Sequence, residues 1–207
     1  MKTAITLLLL TACDATPELA RLDHAQILAV RTEPATVAPG ERARIDVLAG
    51  DDNGAVFEAG PARVTALSRT TGPLVVERTA GGWFVTANGI AEIATLEVAI
   101  DIDGTEWRAT KSLVVNARTD NPPILSMQID GTDRDELVAA VGSKPALSVP
   151  ADEALTYAWY SSVGDLENYR QPSAILDAAE PAEGHVVLVV RDDVGGVSWK
   201  LLPARVE

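Results

Sequence analysis

Few side chains in this 207-residue chain are suited to covalent or acid–base catalysis. The sequence has one cysteine, Cys13, and two histidines, His24 and His185. It contains no His-Glu-x-x-His zinc motif, no Gly-x-Ser-x-Gly nucleophile elbow and no glycine-rich phosphate loop opening a helix. A Ser/His/Asp triad would have to be built around His185, and a surface turn residue is the simpler interpretation of that histidine. The sequence therefore predicts no enzymatic activity and no catalytic residue.

Carboxylates offer the only metal hypothesis. Four of them are close together in the sequence: Asp130, Asp133, Asp135 and Glu136. Oxygen ligands of this kind suit Ca²⁺. The run Asp120-Asn121-Pro122-Pro123 resembles the end of the calcium-binding linker motif of cadherins, although Ala117 and Thr119 stand where that family has ligands. A solvated acidic turn is the alternative. No other cofactor is predicted.

Aromatic side chains are the second kind of candidate site. Tyr157 and Trp159 alternate on one face of a predicted strand, and Trp159 is expected to fill a hydrophobic core. Tyr160 points the other way and is predicted to form an exposed recognition patch with Tyr169 and Arg170, of the kind on which sugar rings stack. The alternative is a tyrosine packed on a sheet edge with its hydroxyl in water.

A short apolar run near the N-terminus precedes the only cysteine. Lys2 leads into an apolar segment that ends at Leu10, which is the layout of a secretory signal. The segment is shorter than the roughly 20 apolar residues that span a bilayer. The run Leu10-Thr11-Ala12-Cys13 resembles the lipobox of bacterial lipoprotein signals. That resemblance implies a signal peptide at residues 1–12, cleavage before Cys13, and acyl chains on the sulfur and new amino group of Cys13. An ordinary signal-peptidase site with a free thiol nearby is the alternative.

The composition limits the kinds of partner. The chain is 47% hydrophobic and 23% charged, with a formal net charge of −13. Removal of residues 1–12 leaves 16 Lys and Arg against 30 Asp and Glu, a net charge of −14. Such a surface repels phosphate backbones and anionic headgroups, so nucleic acid is not an expected partner. The acyl chains, and not surface charge, are therefore expected to hold the protein on the membrane. Since no second cysteine is present, stability is expected to come from hydrophobic cores rather than a disulfide.

From residue 25 onward the pattern predicts short β-strands separated by Gly, Pro, Asn and Asp. The first set is predicted at residues 27–31, 44–48, 63–68, 74–78, 83–86, 95–102 and 106–115. The second set is predicted at residues 124–129, 146–149, 155–160, 174–176, 186–191 and 198–206, with residues 137–141 as an edge strand or a helical turn. Two strand sets of this size indicate two β-sandwiches.

The predicted organisation has four parts after the signal peptide. These are a lipidated cysteine and tether at residues 13–24, a sandwich at residues 25–116, a linker at residues 117–123 and a second sandwich at residues 124–207. Consecutive prolines at Pro122 and Pro123 stiffen the linker and prevent strand pairing there.

An internal repeat supports two copies of one fold. The runs Asp103-Gly104-Thr105-Glu106-Trp107 and Gly195-Gly196-Val197-Ser198-Trp199 each follow an apolar strand and an acidic turn, and both place Trp three residues after Gly. The second half resembles immunoglobulin-like domains of the polycystic-kidney-disease (PKD) class in Asn121-Pro122-Pro123, in residues 152–159 and in residues 189–196. The first half, with residues 27–34 and 38–41, resembles the first module of envelope lipoproteins from deltaproteobacteria such as myxobacteria.

The fold class expected is therefore all-β, with two tandem immunoglobulin-like or PKD-like antiparallel sandwiches after a lipoprotein signal. These resemblances imply a protein of the bacterial cell envelope, anchored by lipid to the outer or inner membrane on its periplasmic or surface face. The expected function is a non-enzymatic binding, adhesion or assembly scaffold that recognises an envelope protein or glycan. The alternative is a carbohydrate-binding or calcium-dependent accessory protein of an envelope enzyme or transporter.

Overall fold

The computed structural model describes residues 20–68, 74–89, 92–124 and 126–207, and every regular element in those ranges is a β-strand. The strands are β1 (Gln26–Glu33), β2 (Arg42–Gly50), β3 (Val56–Glu58), β4 (Val64–Ser68), β5 (Leu74–Thr79), β6 (Gly82–Ala87), β7 (Glu92–Ile102), β8 (Thr105–Val115), β9 (Gln128–Ile129), β10 (Thr132–Asp133), β11 (Leu137–Ala139), β12 (Ala146–Ser148), β13 (Leu155–Ser161), β14 (Asp165–Glu167), β15 (Ser173–Asp177), β16 (Ala182–Asp192) and β17 (Val197–Val206). In these described ranges no helix is long and apolar enough to cross a bilayer.

Strands β1–β8 form the first sandwich. One sheet has the order β1-β2-β6-β5, with β3 added to β2, and the other has the order β4-β7-β8. All of these pairs are antiparallel. This is the two-sheet order of a constant-type immunoglobulin domain, with strands A-B-E-D facing strands C-F-G.

Strands β9–β17 repeat that order. The sheet β9-β12-β15-β14, extended by β10, corresponds to the first sheet of the other sandwich, and β13-β16-β17 corresponds to β4-β7-β8. A short additional strand, β11, pairs in parallel with β17. Residues 137–141 therefore contain an edge strand and no helical turn. The fold is all-β with two tandem immunoglobulin-like sandwiches, as the strand pattern predicts.

Each sandwich has its own hydrophobic core, which is formed by alternating residues of its strands. Leu96, Val98, Ile100 and Ile102 on β7 are at most 2% exposed and pack in the first core. In the second core Trp159 on β13 is fully buried and packs with Leu188 and Leu202. A buried tryptophan on this third strand is a hallmark of immunoglobulin sandwiches.

The closing hairpins of the repeat occupy equivalent places in the two sandwiches. They are β7–β8 and β16–β17, and their turns contain residues with positive φ, Gly104 at 82° and Gly195 at 95°. The two tryptophans after these turns have different surroundings, however. Trp107 packs against the first core, whereas Trp199 packs in a third cluster between the sandwiches.

This third cluster joins the two sandwiches face to face. Its buried members from the N-terminal part of the chain are Leu22, Leu28, Ala29 and Leu48, and those from the second sandwich are Val187, Val189 and Val197. Strand β16 is consequently buried on both faces, because its residues alternate between the second core and the third cluster. We call this third cluster, with the polar contacts around it, the interdomain seam.

The predicted linker is fixed on the seam. Asn121 donates from Nδ2 to the Thr32 carbonyl at 2.9 Å, and its Oδ1 accepts from the Val197 amide at 2.8 Å. Thr119 O accepts from the Ala35 amide at 3.0 Å. The Asn121 side chain therefore binds the main chain of both sandwiches.

The described part of the predicted tether, residues 20–24, is not surrounded by solvent along its whole length. Ala20 and Leu22 are each 2% exposed. Leu22 N donates to Ser161 O at 2.8 Å, and Ser161 N donates to Ala20 O at 2.9 Å, so this segment lies against the edge of β13. This packing could not be predicted from the polar sequence around Leu22, because two apolar side chains are too few to show the periodicity of a strand or helix.

Other boundaries also differ from the predicted ones. Of the predicted strand at residues 124–129, only Gln128–Ile129 is paired, and residue 125 lies outside the described residues. Three short strands, β3, β10 and β14, were not predicted. Each has two or three residues, which is too short for an alternating pattern to be read.

Candidate functional site

The predicted lipidation residue, Cys13, lies outside the described residues. The first described residue is Ala20, seven residues further on. Lipidation of Cys13 therefore stays a prediction from the sequence.

Three of the predicted calcium ligands, Asp130, Asp135 and Glu136, line one pocket at an exposed edge of the second sandwich. Asp130 lies in the β9–β10 turn, and its Oδ1 accepts from the Ala146 amide at 2.9 Å. Asp133 is on β10, and Asp135 and Glu136 follow it as exposed residues. Among the described residues no group of three or more His, Cys, Asp or Glu side chains is placed to hold a metal ion.

Other acidic turns have a local structural role. Asp51 Oδ1 accepts from the amides of Asn53 and Ala55, both at 2.9 Å, and Asp192 Oδ1 accepts from the Gly196 amide at 2.6 Å. These carboxylates satisfy the main-chain donors of their own turns, as aspartates often do.

His185 lies on β16 and not in a surface turn, the simpler interpretation of this residue from the sequence. Its main-chain amide donates to Ser162 Oγ at 2.9 Å, so Ser162 meets the backbone of His185 and not its ring. The ring Nδ1 is buried without a hydrogen-bond partner among the described residues.

The structure brings Tyr160, Tyr169 and Arg170 together on one surface, and their role in recognition stays a prediction. They line one groove, of about 300 Å³, together with Gln26 and Arg191. The Arg170 guanidinium carbon lies 5.4 Å from the centre of the Tyr169 ring, within the range of a cation–π contact. We call this the tyrosine–arginine groove.

Trp159 positions the turn that carries Tyr169 and Arg170. The Trp159 amide donates to Tyr169 O at 2.8 Å, and its indole Nε1 donates to Gln171 O at 2.9 Å. Within the turn, the Gln171 amide donates to Asn168 O at 2.9 Å, and Asn168 has φ of 60°. Because Trp159 is fully buried, the turn is attached to the close-packed core of the domain.

The charge of the groove differs from that of the protein. Its lining residues include two arginines and no Asp or Glu, although Asp and Glu outnumber Lys and Arg by 30 to 17 in the chain. Arg191 uses Nη2 to donate to Leu28 O at 2.9 Å, while no ion pair is recorded for Arg170 within the described ranges. The groove is therefore an electropositive site on an acidic protein.

Three polar residues of the interdomain seam, Arg31, Glu58 and Lys111, were not singled out from the sequence. Trp199 stacks with Arg31, whose guanidinium carbon lies 4.0 Å from the ring centre, and its Nε1 donates to Glu58 Oε1 at 2.8 Å. Lys111 on β8 donates from Nζ to the carbonyl of Gly195 in the second sandwich. Only the continuous apolar run of residues 186–190 could have indicated the seam, because it marks a strand buried on both faces.

Burial changes the acidity of the seam lysine. Lys111 is only 6% exposed. Desolvation lowers the pKa of Lys111 to about 8, the nearby Asp192 carboxylate opposes this, and the Arg191 guanidinium adds to it.

No protein-family profile matches the chain, and no curated protein matches it by sequence. Solved structures of tandem modules align over most of its length. A chimeric titin Z1Z2 tandem is 13% identical, with 88% of this chain and 99% of the other covered and a TM-score of 0.33. The N-terminal Ig1-2 module of the Drosophila receptor protein tyrosine phosphatase DLAR is 14% identical, with 89% and 99% covered and a TM-score of 0.33. Domains 5–6 of the S-layer protein SbsC are 16% identical, with 87% and 98% covered and a TM-score of 0.30.

At these identities and TM-scores the similarities carry no functional argument. The chain is classified by its own strand order as a two-domain immunoglobulin-like β-sandwich protein.

Proposed function

We propose that the chain is a lipid-anchored protein of the bacterial cell envelope, and that it works as a non-enzymatic binding and assembly module. The observation that carries this proposal is the interdomain seam. It joins both sandwiches and the N-terminal segment through one apolar cluster, so a load or anchor at the N-terminus acts on the whole body.

The N-terminal segment supports a close attachment to the membrane. Ala20 is the seventh residue after Cys13, and a fully extended chain of seven residues reaches at most about 25 Å. Arg21 then forms an ion pair with Asp165 at 2.8 Å, next to the contacts of Ala20 and Leu22 with Ser161. Lipid on Cys13 would therefore hold the body near the bilayer and raise its local concentration there.

The partner is proposed to bind the surface and not a catalytic pocket. The seam residues and the turn carboxylates described above are engaged in structural contacts. The tyrosine–arginine groove has free polar groups, and strand edges and loops are common recognition elements of this fold.

Crosslinking in living cells tests the proposal. A tagged full-length protein is crosslinked, extracted with detergent and analysed by mass spectrometry, with Cys13→Ser as the unanchored control. Recurrent recovery of one envelope protein that is lost in the control supports an anchored assembly role. Recovery of polysaccharide alone, or of no specific partner, contradicts it.

The anchor has its own test. Mass spectrometry of the mature N-terminal peptide is expected to show cleavage before Cys13 and the mass of acyl groups on that residue. An unmodified Cys13, or an N-terminus at another residue, would refute lipid anchoring while leaving the binding function to be tested separately.

A second candidate function is carbohydrate binding as an accessory to an envelope enzyme or transporter. The tyrosine–arginine groove favours it, because aromatic faces and free hydroxyl groups line one concave site. Glycan-array binding that depends on Tyr160 and Tyr169 would support this function. The calcium-dependent form would require a rise in melting temperature on adding Ca²⁺.

A further inference from the structure

The tyrosine–arginine groove has free recognition groups that the fold does not use. Among the described residues, the hydroxyls of Tyr160 and Tyr169 have no hydrogen-bond partner, and the Arg170 guanidinium lies over the Tyr169 ring without a hydrogen bond or an ion pair. Tyr160 and Tyr169 are themselves half-buried by packing against the third cluster and the second core. Their ring positions are therefore fixed while their hydroxyls are available.

The groove is also organised before any ligand binds. Both hydrogen bonds from Trp159 hold the 168–171 turn on β13, as described above. On the opposite side Gln26 begins β1, and its Nε2 donates to Arg21 O at 3.1 Å. The side chain of Gln26 is thereby held beside the groove. Because both walls are set by main-chain contacts, little conformational entropy is lost on binding.

The groups that face the groove define a ligand with three properties. Two guanidinium groups without a lining carboxylate favour an anion, and a planar guanidinium matches a carboxylate particularly well. Tyrosine rings favour a ligand with an apolar face, and the phenol and amide groups favour several hydroxyls on it. A volume of about 300 Å³ is at the lower limit of small-ligand sites.

We propose that this groove binds a carboxylate-bearing sugar ring, one hexuronic acid unit of an acidic polysaccharide. Arg170 pairs with the carboxylate, the tyrosine rings contact the sugar face, and Gln26 with the tyrosine hydroxyls binds the ring hydroxyls. An inorganic anion would use only the charge, and an acidic peptide would leave the aromatic faces and hydroxyls without matched groups. This inference rests on the second candidate function, carbohydrate binding, and names its ligand class; it depends neither on the lipid anchor nor on the assembly role.

Isothermal titration of the full-length Cys13→Ser protein with trigalacturonic acid tests the inference. The fully methyl-esterified trisaccharide is the matched probe, because it has the same rings without the charge. Binding of the acid is expected to be at least about tenfold tighter than binding of the ester, since hydrogen bonds to a charged group are the stronger kind. Sodium sulfate and a triglutamate peptide test for an anion site without sugar specificity.

Variants locate the binding. Arg170→Gln is expected to weaken binding of trigalacturonic acid by about tenfold or more, and Tyr160→Phe and Tyr169→Phe by about threefold to tenfold each. Arg134→Gln is the control, because it removes the same charge from another exposed position of the second sandwich. Arg170 is exposed, so its replacement is not expected to change the melting temperature.

Three results would overturn the inference: no binding of trigalacturonic acid at millimolar concentration, equal affinity for sulfate or triglutamate, or equal losses in Arg170→Gln and Arg134→Gln. If one of these occurs while crosslinking in cells still recovers an envelope protein, the groove ligand is wrong and the assembly function stands. If the sugar binds but crosslinking recovers no protein, the groove ligand is right and the assembly function is wrong.

Discussion

Lys111 gives the most quantitative prediction, because a buried amine at the seam makes stability depend on pH. Its pKa is about 8 in the folded protein and about 10.4 in an unfolded chain. Each pKa unit corresponds to about 1.4 kcal/mol, so the two states differ by about 3 kcal/mol in their preference for the proton. Asp192 and Arg191 are the charged groups that act on this amine, and the Gly195 carbonyl accepts its hydrogen bond.

The direction of the pH dependence of stability follows from which state, folded or unfolded, holds the Lys111 proton. Between pH 8 and about 10.4 the unfolded chain keeps the Lys111 proton while the folded protein has lost it, so the free energy of unfolding rises with pH in that window. Below pH 8 both states are protonated, and the cost of burying the charge is fully present. Lys111→Met removes this titration. The stability of the wild-type protein relative to Lys111→Met is therefore expected to increase by about 3 kcal/mol between pH 7.5 and 10.5.

Urea unfolding of the wild-type protein and Lys111→Met at a series of pH values measures this difference in stability. The titration of other groups affects both proteins equally and therefore cancels. Lys144→Met is the control, because Lys144 is exposed and its pKa is raised by hydrogen bonds with Asp177 and Glu167. The stability of the wild-type protein relative to that variant is expected to fall, not rise, as the pH passes 10. A relative stability of Lys111→Met that stays constant across the window would refute the assignment of Lys111 as a buried amine in the seam.

Three other predictions concern the same interface. Leu48→Ala is expected to lower the free energy of unfolding by about 2–5 kcal/mol, because Leu48 is fully buried in the third cluster. Leu67→Ala, at a site 52% exposed, should cost less than about 0.5 kcal/mol, and equal losses would contradict the cluster. Asn121→Ala is expected to lower the free energy of unfolding by about 1–3 kcal/mol, because it leaves the Val197 amide unpaired. Hydrogen exchange at the Val197 amide is expected to become faster. Unchanged exchange there would contradict the hydrogen bond from that amide to Asn121. Gly54→Ala is expected to lower the melting temperature more than Gly104→Ala. Both glycines have positive φ, but only at Gly54 would a Cβ lie 2.7 Å from Ser162 of the other sandwich. Equal decreases in melting temperature would show that the contact is absent.

The architecture of each sandwich could be predicted from the sequence because each core lies on one face of its strands. Alternation in β13 correctly identified Trp159 as a core residue, and alternation in β7 likewise places Leu96 and Ile100 in the first core. The repeated Gly-x-x-Trp hairpins indicated two copies of one fold, and the strand order confirms it.

The seam could not be predicted because it depends on side chains that face away from both cores. Leu48 and Val189 fall at positions that a single sandwich would expose, and Leu22 is isolated in a polar stretch. The groove was predicted only in part. Alternation placed Tyr160 outside the core, but the contribution of Gln26, more than 130 residues away in sequence, requires the two sandwiches to be stacked.

We expect the interdomain seam to hold the two sandwiches as one rigid body. Pulsed electron spin resonance on Cys13→Ser protein, with spin-labelled cysteines replacing Arg78 in the first sandwich and Glu153 in the second, tests this directly, since both positions are exposed. A rigid body is expected to give one narrow distance distribution, which broadens when Leu48→Asp places a charge in the third cluster. A broad or multiple distribution that Leu48→Asp leaves unchanged would show that the seam does not fix the two sandwiches.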